Sequence, residues 1–510
     1  MDEHQLKNIV GITAGTAAAA LTALAIKYND RALFDEHNPG TPYRKGYPLL
    51  GTLPGLIRGK CTIHDFTMKA FNDANAMTIS VSSLGIPHAV QTIDPANVEH
   101  ILKNNFENYV KGPKFNESTK DILGHGIFNA NGEQWKWQRK AASLIFNVKN
   151  FRDHFTDVFV NEMEIMCDMF NRATETNEVV DLHDMMFRFT LDSFVLLGFG
   201  VDIKSLTHGE KVPFAASFDI LQQGAFEKFI DPFVNVRNTF KKYFMPWETT
   251  PEQHLEVIDA FAKNVIDGRR AQLAAGEVHK DLLSRFMNAR NEFGEPLNDV
   301  ELRDTIMNFI IAGRDTTAQA LSWTFLCLAQ HPRVEEKLVK EIMEYIDDDV
   351  EHDSPALYEK IKDMTYAHAV FYEVLRLYPS VPGNQKYALN DDVWPDGTTI
   401  RKGDYVNWSP YAQGRSEKIW GPDAKEFVPE RWLTPEGDLR RETPGKWPAF
   451  HAGPRVCLGQ NLATLEGLVA LSFLLRRYKF TMVPGQNVTY NVSLTLPMKE
   501  GLKVLIEKRV

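Results

Sequence analysis

Apolar residues recur at three- and four-residue intervals along most of this chain, the spacing of helices that bury one face. The pattern runs to the carboxyl end with no long Ser/Gly/Pro linker and no evident internal repeat. Residues 298–330 form the longest predicted helix. Asn298 followed by Glu301 is a capping-box start and His331-Pro332 a stop, leaving roughly 33 residues, or about 50 Å of helix. Further helices are predicted from about Trp135, up to Pro379, and over 462–475. Trp135 and Arg139 share one helix face at i, i+4, and Glu373 and Arg376 share another at i, i+3. Two β-rich runs around Gly85-Ile86-Pro87 make residues 76–93 a hairpin. The expected class is therefore mainly α with a small β region.

The first apolar stretch, residues 9–26, is uncharged and about 27 Å long as a helix, just enough to cross a bilayer, but rich in Ala and Thr. Asp2, Glu3 and Lys7 precede it; Lys27 and Arg31 follow, a bias that places the bulk of the chain on the cytoplasmic side. The expectation is a retained N-terminal membrane anchor, residues 1–36, joined to a body, residues 37–510, through the helix-breaking His37-Asn38-Pro39-Gly40-Thr41-Pro42. A cleaved leader ending near Ala23 or Ala25 is the alternative, and the missing positive n-region argues against it. In a cytosol-facing body the sequons at Asn116, Asn487 and Asn491 stay idle.

A formal charge of −10 and the lack of an aromatic-interleaved basic stripe argue against a nucleic-acid partner. Cys61, Cys167, Cys327 and Cys457 are scattered without a CxxC pair, which excludes a disulfide framework or zinc ribbon and fits a reducing compartment. Gly198-Phe199-Gly200 lacks the third glycine and βαβ context of a dinucleotide fingerprint.

Cys457 lies among Gly453, Pro454 and Gly459 directly before a predicted helix, whose amide dipoles would lower its pKa and favour a thiolate metal ligand. Arg455 brings positive charge suited to the carboxylate edge of a porphyrin. In the middle of the long helix, Ala312-Gly313-Arg314-Asp315-Thr316-Thr317 combines poor helix formers, a costly choice that points to function. The Thr316 hydroxyl could bond back to the Ala312 carbonyl and open the helix there.

Phe450-x-x-Gly453-x-Arg455-x-Cys457-x-Gly459 resembles the signature of the haem-thiolate monooxygenases, the cytochrome P-450 family. Ala312-Gly313-x-Asp315-Thr316 and Glu373-x-x-Arg376 lie upstream in the family's order, and Pro429-Glu430-Arg431-Trp432 supplies the partner of the latter. The resemblance covers about residue 40 to the end. It implies a triangular, helix-rich single domain binding haem b, iron protoporphyrin IX, with Cys457 as axial ligand and Trp135, Arg139, Phe450, Arg455 and Gly459 around the cofactor. Lys386 stands where many relatives place a propionate-binding arginine or histidine. By the same resemblance Asp315 and Thr316 deliver protons, Glu373, Arg376 and Arg431 form a buried structural network, and Phe309, Ala312, Val381, Pro382 and Leu496 line an apolar pocket. The aromatic-rich segment between Phe214 and Trp247 would roof the substrate channel and dip into the membrane.

Gly126-Ile127-Phe128-Asn129, Tyr411-Ala412-Gln413-Gly414-Arg415 and the terminal Ser493 to Lys499 phrase are similar to those of the fungal and plant fatty-acid and alkane hydroxylase branches. The implied activity is insertion of one atom of O2 into a C–H bond of an apolar chain, at or near its end. Steroid or terpenoid hydroxylation is the alternative, and a haem-thiolate isomerase or dehydratase a remoter one. The implied partners are an NADPH-dependent flavoprotein reductase, cytochrome b5 and membrane lipid, at the cytosolic face of the endoplasmic reticulum. Lys136, Lys140, Arg440, Arg441 and Lys446 are candidates for docking the reductase.

Overall fold

The computed structural model describes residues 3–146, 151–208, 212–291 and 293–509. Its organising element is the long buried helix, which is not continuous. Asp299–Ile310 and Thr316–Gln330 are α-helical, and Ile311–Asp315 between them is a wide π turn. The start is as expected: the Asn298 side chain accepts from the Val300 and Glu301 amides at 3.0 Å, and the Glu301 carboxylate accepts from the Asn298 amide at 2.8 Å.

Side chains satisfy the carbonyls in the wide turn. Thr316 donates its hydroxyl to the Ala312 carbonyl at 2.7 Å, and Thr190, from the crossing helix Leu182–Phe199, donates to the Arg314 carbonyl at 2.9 Å. Gly313 is needed because a Cβ there would overlap the Phe194 ring of that crossing helix. A π turn held by hydroxyls at an interior crossing marks a functional site more often than a packing accident.

Helices Thr365–Leu377 and Gln460–Arg477 pack against the Thr316–Gln330 segment. Gln460–Arg477 is buried almost all round from Leu462 to Leu475, so it belongs to the interior rather than to an amphipathic surface layer. The β region lies to one side. A five-stranded sheet runs in the order Thr78–Ser83, Ile86–Thr92, Tyr405–Trp408, Asn384–Ala388, Tyr109–Val110. The first two strands are the predicted hairpin, turning at Leu84-Gly85 and leaving Ile86 and Pro87 in the second strand. At the far edge Val110 pairs with Tyr387, a register that brings Lys111 beside Lys386.

Behind the cysteine loop, Glu373 and Arg376 are fully buried and joined at 2.7 and 2.8 Å. Glu373 also accepts from Arg431 at 3.0 Å, the Trp432 indole at 2.9 Å and the Val428 amide at 2.8 Å. Arg376 donates to the carbonyls of Gly414, Ala424 and Glu426. Every polar atom of this charged pair is thus answered, the condition under which a buried ion pair is tolerated.

The amino-terminal stretch forms helix Glu3–Lys27, with Asp2 outside the described residues. Among the described residues no helix is long and apolar enough to cross a membrane. The spanning anchor expected over 9–26 is therefore not confirmed: its Ala, Gly and Thr supply length with little hydropathy.

Arg376→Met strands Glu373 in the interior, and we expect it to lower the unfolding free energy by about 3–5 kcal/mol in urea titrations followed by tryptophan fluorescence. A loss of about 0.5 kcal/mol, as for a surface pair, would contradict this account.

Candidate cofactor and active site

A cavity of about 480 Å³ reaches from the cysteine loop past the π turn to the helix Ile63–Ala74. Cys457 lines it; none of the other three cysteines does. The loop that presents the sulfur is closed by the Cys457 amide donating to the Phe450 carbonyl at 2.9 Å. Gly453, at φ 61°, sits against the Leu102 carbonyl where a Cβ would not fit.

Cys457 faces open cavity space but is walled by protein on nearly every other side, and this burial pushes its thiol up from the ordinary value. The Gly459 amide and Arg139 pull it down by less. The expected lowering by the following helix is therefore outweighed in the metal-free chain. A bound metal deprotonates a coordinating thiol outright.

Phe450, Arg455, Gly459, Trp135 and Arg139 all line the same cavity. Arg455 lies 4.5 Å above the Trp135 ring and donates to the Ala130 carbonyl at 2.6 Å, while Arg139 donates to the Val456 carbonyl at 2.7 Å. Lys386 is 1% exposed and its Nζ has no hydrogen-bond partner. Lys111, absent from the sequence-based candidates, is half-buried beside it with its amine over the Phe115 ring at 3.7 Å.

Burial lowers the pKa of Lys111 to about 7, that of Arg455 to about 10 and that of Lys386 well below the lysine range; neighbouring cations add to each effect. Among the described residues no ion pair joins Lys111, Arg139, Lys386 or Arg455 to a carboxylate. Four basic groups clustered without an anion either lose protons or stay charged at a cost, and an incoming dianion favours their charged forms. The donor set thus fits a flat cofactor with a metal at one position and two carboxylates at its edge.

On the opposite wall are Phe309, Ala312, Gly313, Thr316 and Thr317. Asp315 is not part of this lining. Its carboxylate accepts from Gln222 at 2.7 Å and from Arg314 at 3.0 Å, and Arg314 continues to Asp219 at 2.7 Å, both partners lying on the helix Pro213–Ile230. Burial raises the Asp315 pKa to about 6. Glu466, also absent from the sequence-based candidates, does line the cavity. It interacts with Thr317, leaves Oε1 unpartnered, and burial pushes its pKa well above the carboxylate range. Val381 faces the cavity, whereas Pro382 offers its carbonyl to Tyr411 and Ser409, and Leu496 is held in the core by Gln319, Trp323 and Ser380. Leu494 and Thr495 line the cavity instead.

Residues 39–503 match the family model described as Cytochrome P450. The chain is a cytochrome P450. It is similar to cytochrome P450 86B1 of Arabidopsis thaliana, 39% identical over 91% of this chain and 85% of that one. Cytochrome P450 704C1 of Pinus taeda is also 39% identical, over 82% of this chain and 85% of that protein. Cytochrome P450 monooxygenase cyp1 of Mycosarcoma maydis is 33% identical over 97% and 79%, respectively. As a member of this family the P450 is a monooxygenase that binds haem b through a cysteine thiolate and draws electrons from a redox partner such as an NADPH-cytochrome P450 reductase.

The Lys111 assignment gives a pH test. Its depressed pKa means that folding of the haem-free P450 expels a proton at neutral pH. The contribution of Lys111 to stability is therefore greatest above the ordinary lysine pKa and is lost as pH falls to about 7. The haem-free chain should gain thermal stability relative to its Lys111→Met variant between pH 7 and about 10. Haem, by compensating the charge, should flatten the difference. A flat difference in the haem-free pair would contradict the assignment.

Proposed function

We propose that this P450 hydroxylates a long apolar chain, of the fatty-acid or alkane class, at or near its end. The observation that carries the reading is the cavity wall. Phe71, Phe226, Phe229, Phe309, Val381 and Leu494 line the same cavity as Ala312 and Thr316, an apolar wall suited to an apolar chain. The similarity of the sequence to plant and fungal relatives in these branches supports the same choice over a rigid polycyclic substrate.

In this reading Cys457 would ligate the haem iron, and Lys111, Arg139, Lys386 and Arg455 would hold the propionates. Haem bound there supplies the redox chemistry that delivers one oxygen atom of O2 to a C–H bond. The chain's own residues do the rest. The π turn makes room beside the cofactor, and the Thr316 hydroxyl, held on the Ala312 carbonyl at 2.7 Å, is positioned to pass a proton into it. Asp315 reloads that hydroxyl when its hydrogen bonds to Gln222 and Arg314 exchange; with a pKa of about 6 it can carry a proton near neutral pH. The apolar wall excludes water and fixes which carbon approaches.

The reading extends to the surface. Helix Val234–Phe244 and its flanks expose Phe233, Val236, Phe240, Tyr243, Phe244 and Trp247 beside Lys241 and Lys242. This aromatic and basic face suits a lipid headgroup layer. Together with the amino-terminal helix it would hold the P450 on the cytosolic face of the endoplasmic reticulum. Lys136, Lys140, Arg440, Arg441 and Lys446 would receive the reductase, with cytochrome b5 as a second donor; of these, Lys136 is paired with Glu133, and Arg440 and Lys446 with Glu442.

The substrate reading is tested by titrating the ferric P450 with fatty acids of increasing length and with steroids, following the low-to-high-spin shift of the Soret band. A saturable shift that strengthens with chain length and is absent for steroids is expected. A response to steroids alone would overturn it. Thr316→Ala, at unchanged haem content, should lower hydroxylation on the order of a hundredfold while NADPH is still consumed. Fully coupled turnover would remove Thr316 from the relay.

A further inference from the structure

The cavity wall contains one polar ring that neither haem nor the proton relay uses. His64, on the helix Ile63–Ala74, lines the cavity while only 5% exposed, and its Nε2 has no hydrogen-bond partner. A buried unpaired nitrogen is costly and rare enough to require a reason.

Aromatic rings fix its orientation. Tyr490 lies 5.2 Å away, Tyr411 5.5 Å and Phe226 6.0 Å, centroid to centroid. The obvious partner, the adjacent Asp65 carboxylate, is already engaged by the Tyr411 hydroxyl at 2.9 Å and the Tyr490 hydroxyl at 2.8 Å. The nearby cation, Arg415, lies over the Tyr411 ring. Burial, the largest influence, lowers the His64 pKa to about 4; Asp65 opposes the shift and Arg415 adds to it. The imidazole is therefore neutral at physiological pH, with one N–H to donate and one lone pair to accept.

His64 also sits at a useful remove from the reaction site. Ser380 donates to the Thr316 carbonyl at 2.8 Å, and two residues on, the Pro382 carbonyl accepts from the amide of Tyr411, the residue against which His64 packs. The bend at 380–382 thus links Thr316 to the part of the cavity wall against which His64 packs. Because Thr316 and His64 line the same cavity, a chain whose end lies at Thr316 can present a group farther along it to His64.

We infer that His64 is a specificity-determining residue that hydrogen-bonds an uncharged oxygen-bearing group, a hydroxyl or ester, on the distal part of the chain substrate. A free carboxylate fits less well, because the site offers it a neutral ring beside the Asp65 charge. This inference rests on the long-chain reading above.

The test compares ferric holoenzyme with its His64→Leu and His64→Gln variants, at equal haem content. Spin-shift dissociation constants are measured for an alkane, a primary alcohol, a methyl ester and a fatty acid of one chain length. Wild type should bind the alcohol and ester about tenfold tighter than the alkane. His64→Leu should abolish that preference without weakening the alkane, and His64→Gln should restore part of it. Equal weakening of all four ligands in His64→Leu would mean the ring only packs, and overturn the inference. A preference for the free carboxylate that disappears in His64→Leu would overturn the choice of an uncharged group. If no linear compound shifts the wild-type spectrum, the long-chain reading falls and this inference falls with it. If linear compounds bind but all three proteins rank the head groups alike, only this inference falls.

Discussion

A cluster of basic groups at the cavity with no carboxylate partner is the constraint on which the rest of this site depends. Lys111, Arg139 and Arg455 line the cavity, Lys386 is buried beside Lys111, and desolvation depresses the pKa of each. A folded chain does not keep such an arrangement for its own stability; the cost is offset when an anionic cofactor enters. The sheet edge that juxtaposes Lys111 and Lys386, the loop that aims Cys457 and the helix that carries Trp135 and Arg139 all serve that single docking event. Fold and cofactor are therefore coupled thermodynamically, since anything that binds only the folded state stabilises it.

The second organising feature is the division between the rigid and the adjustable walls. Behind the cysteine loop, Glu373, Arg376, Arg431 and Trp432 form a network in which the charges are matched and the ring of Trp432 is buried. Across the cavity the π turn is held by side-chain hydroxyls and by Asp315, Arg314, Gln222 and Asp219, which tie it to the helix Pro213–Ile230. Movement of that helix would alter the hydrogen bonds of Asp315 directly.

What could be read from the sequence was local. The capping box at Asn298, the Thr316 to Ala312 bond, the Glu373–Arg376 face and the turn around Cys457 depend on residues a few positions apart, and all were legible. Lys111 and Lys386 meet only through strand register, so no spacing could announce Lys111. Glu466 lies in a run that looks like any interior helix, and its importance arises from the missing partner for Oε1. Propensity suggested an opened helix near Gly313 but not that a Phe194 ring from another helix requires the glycine. The amino-terminal span went unconfirmed for a different reason. Length and absence of charge met the criterion for crossing a bilayer, and the weak apolar character of Ala and Thr did not.

The most direct test of the central claim separates the metal from the carboxylates. Haem-free P450 is titrated with haem and with haem dimethyl ester, whose propionates carry no charge, and the affinities are compared at pH 7. If the four cations exist to receive the propionates, the ester should bind at least a hundredfold more weakly, about 2.7 kcal/mol or more, and most of that penalty should vanish when Lys111 and Lys386 are both replaced by Met. Equal affinity for the two cofactors would contradict the account and leave the buried cations without an explanation.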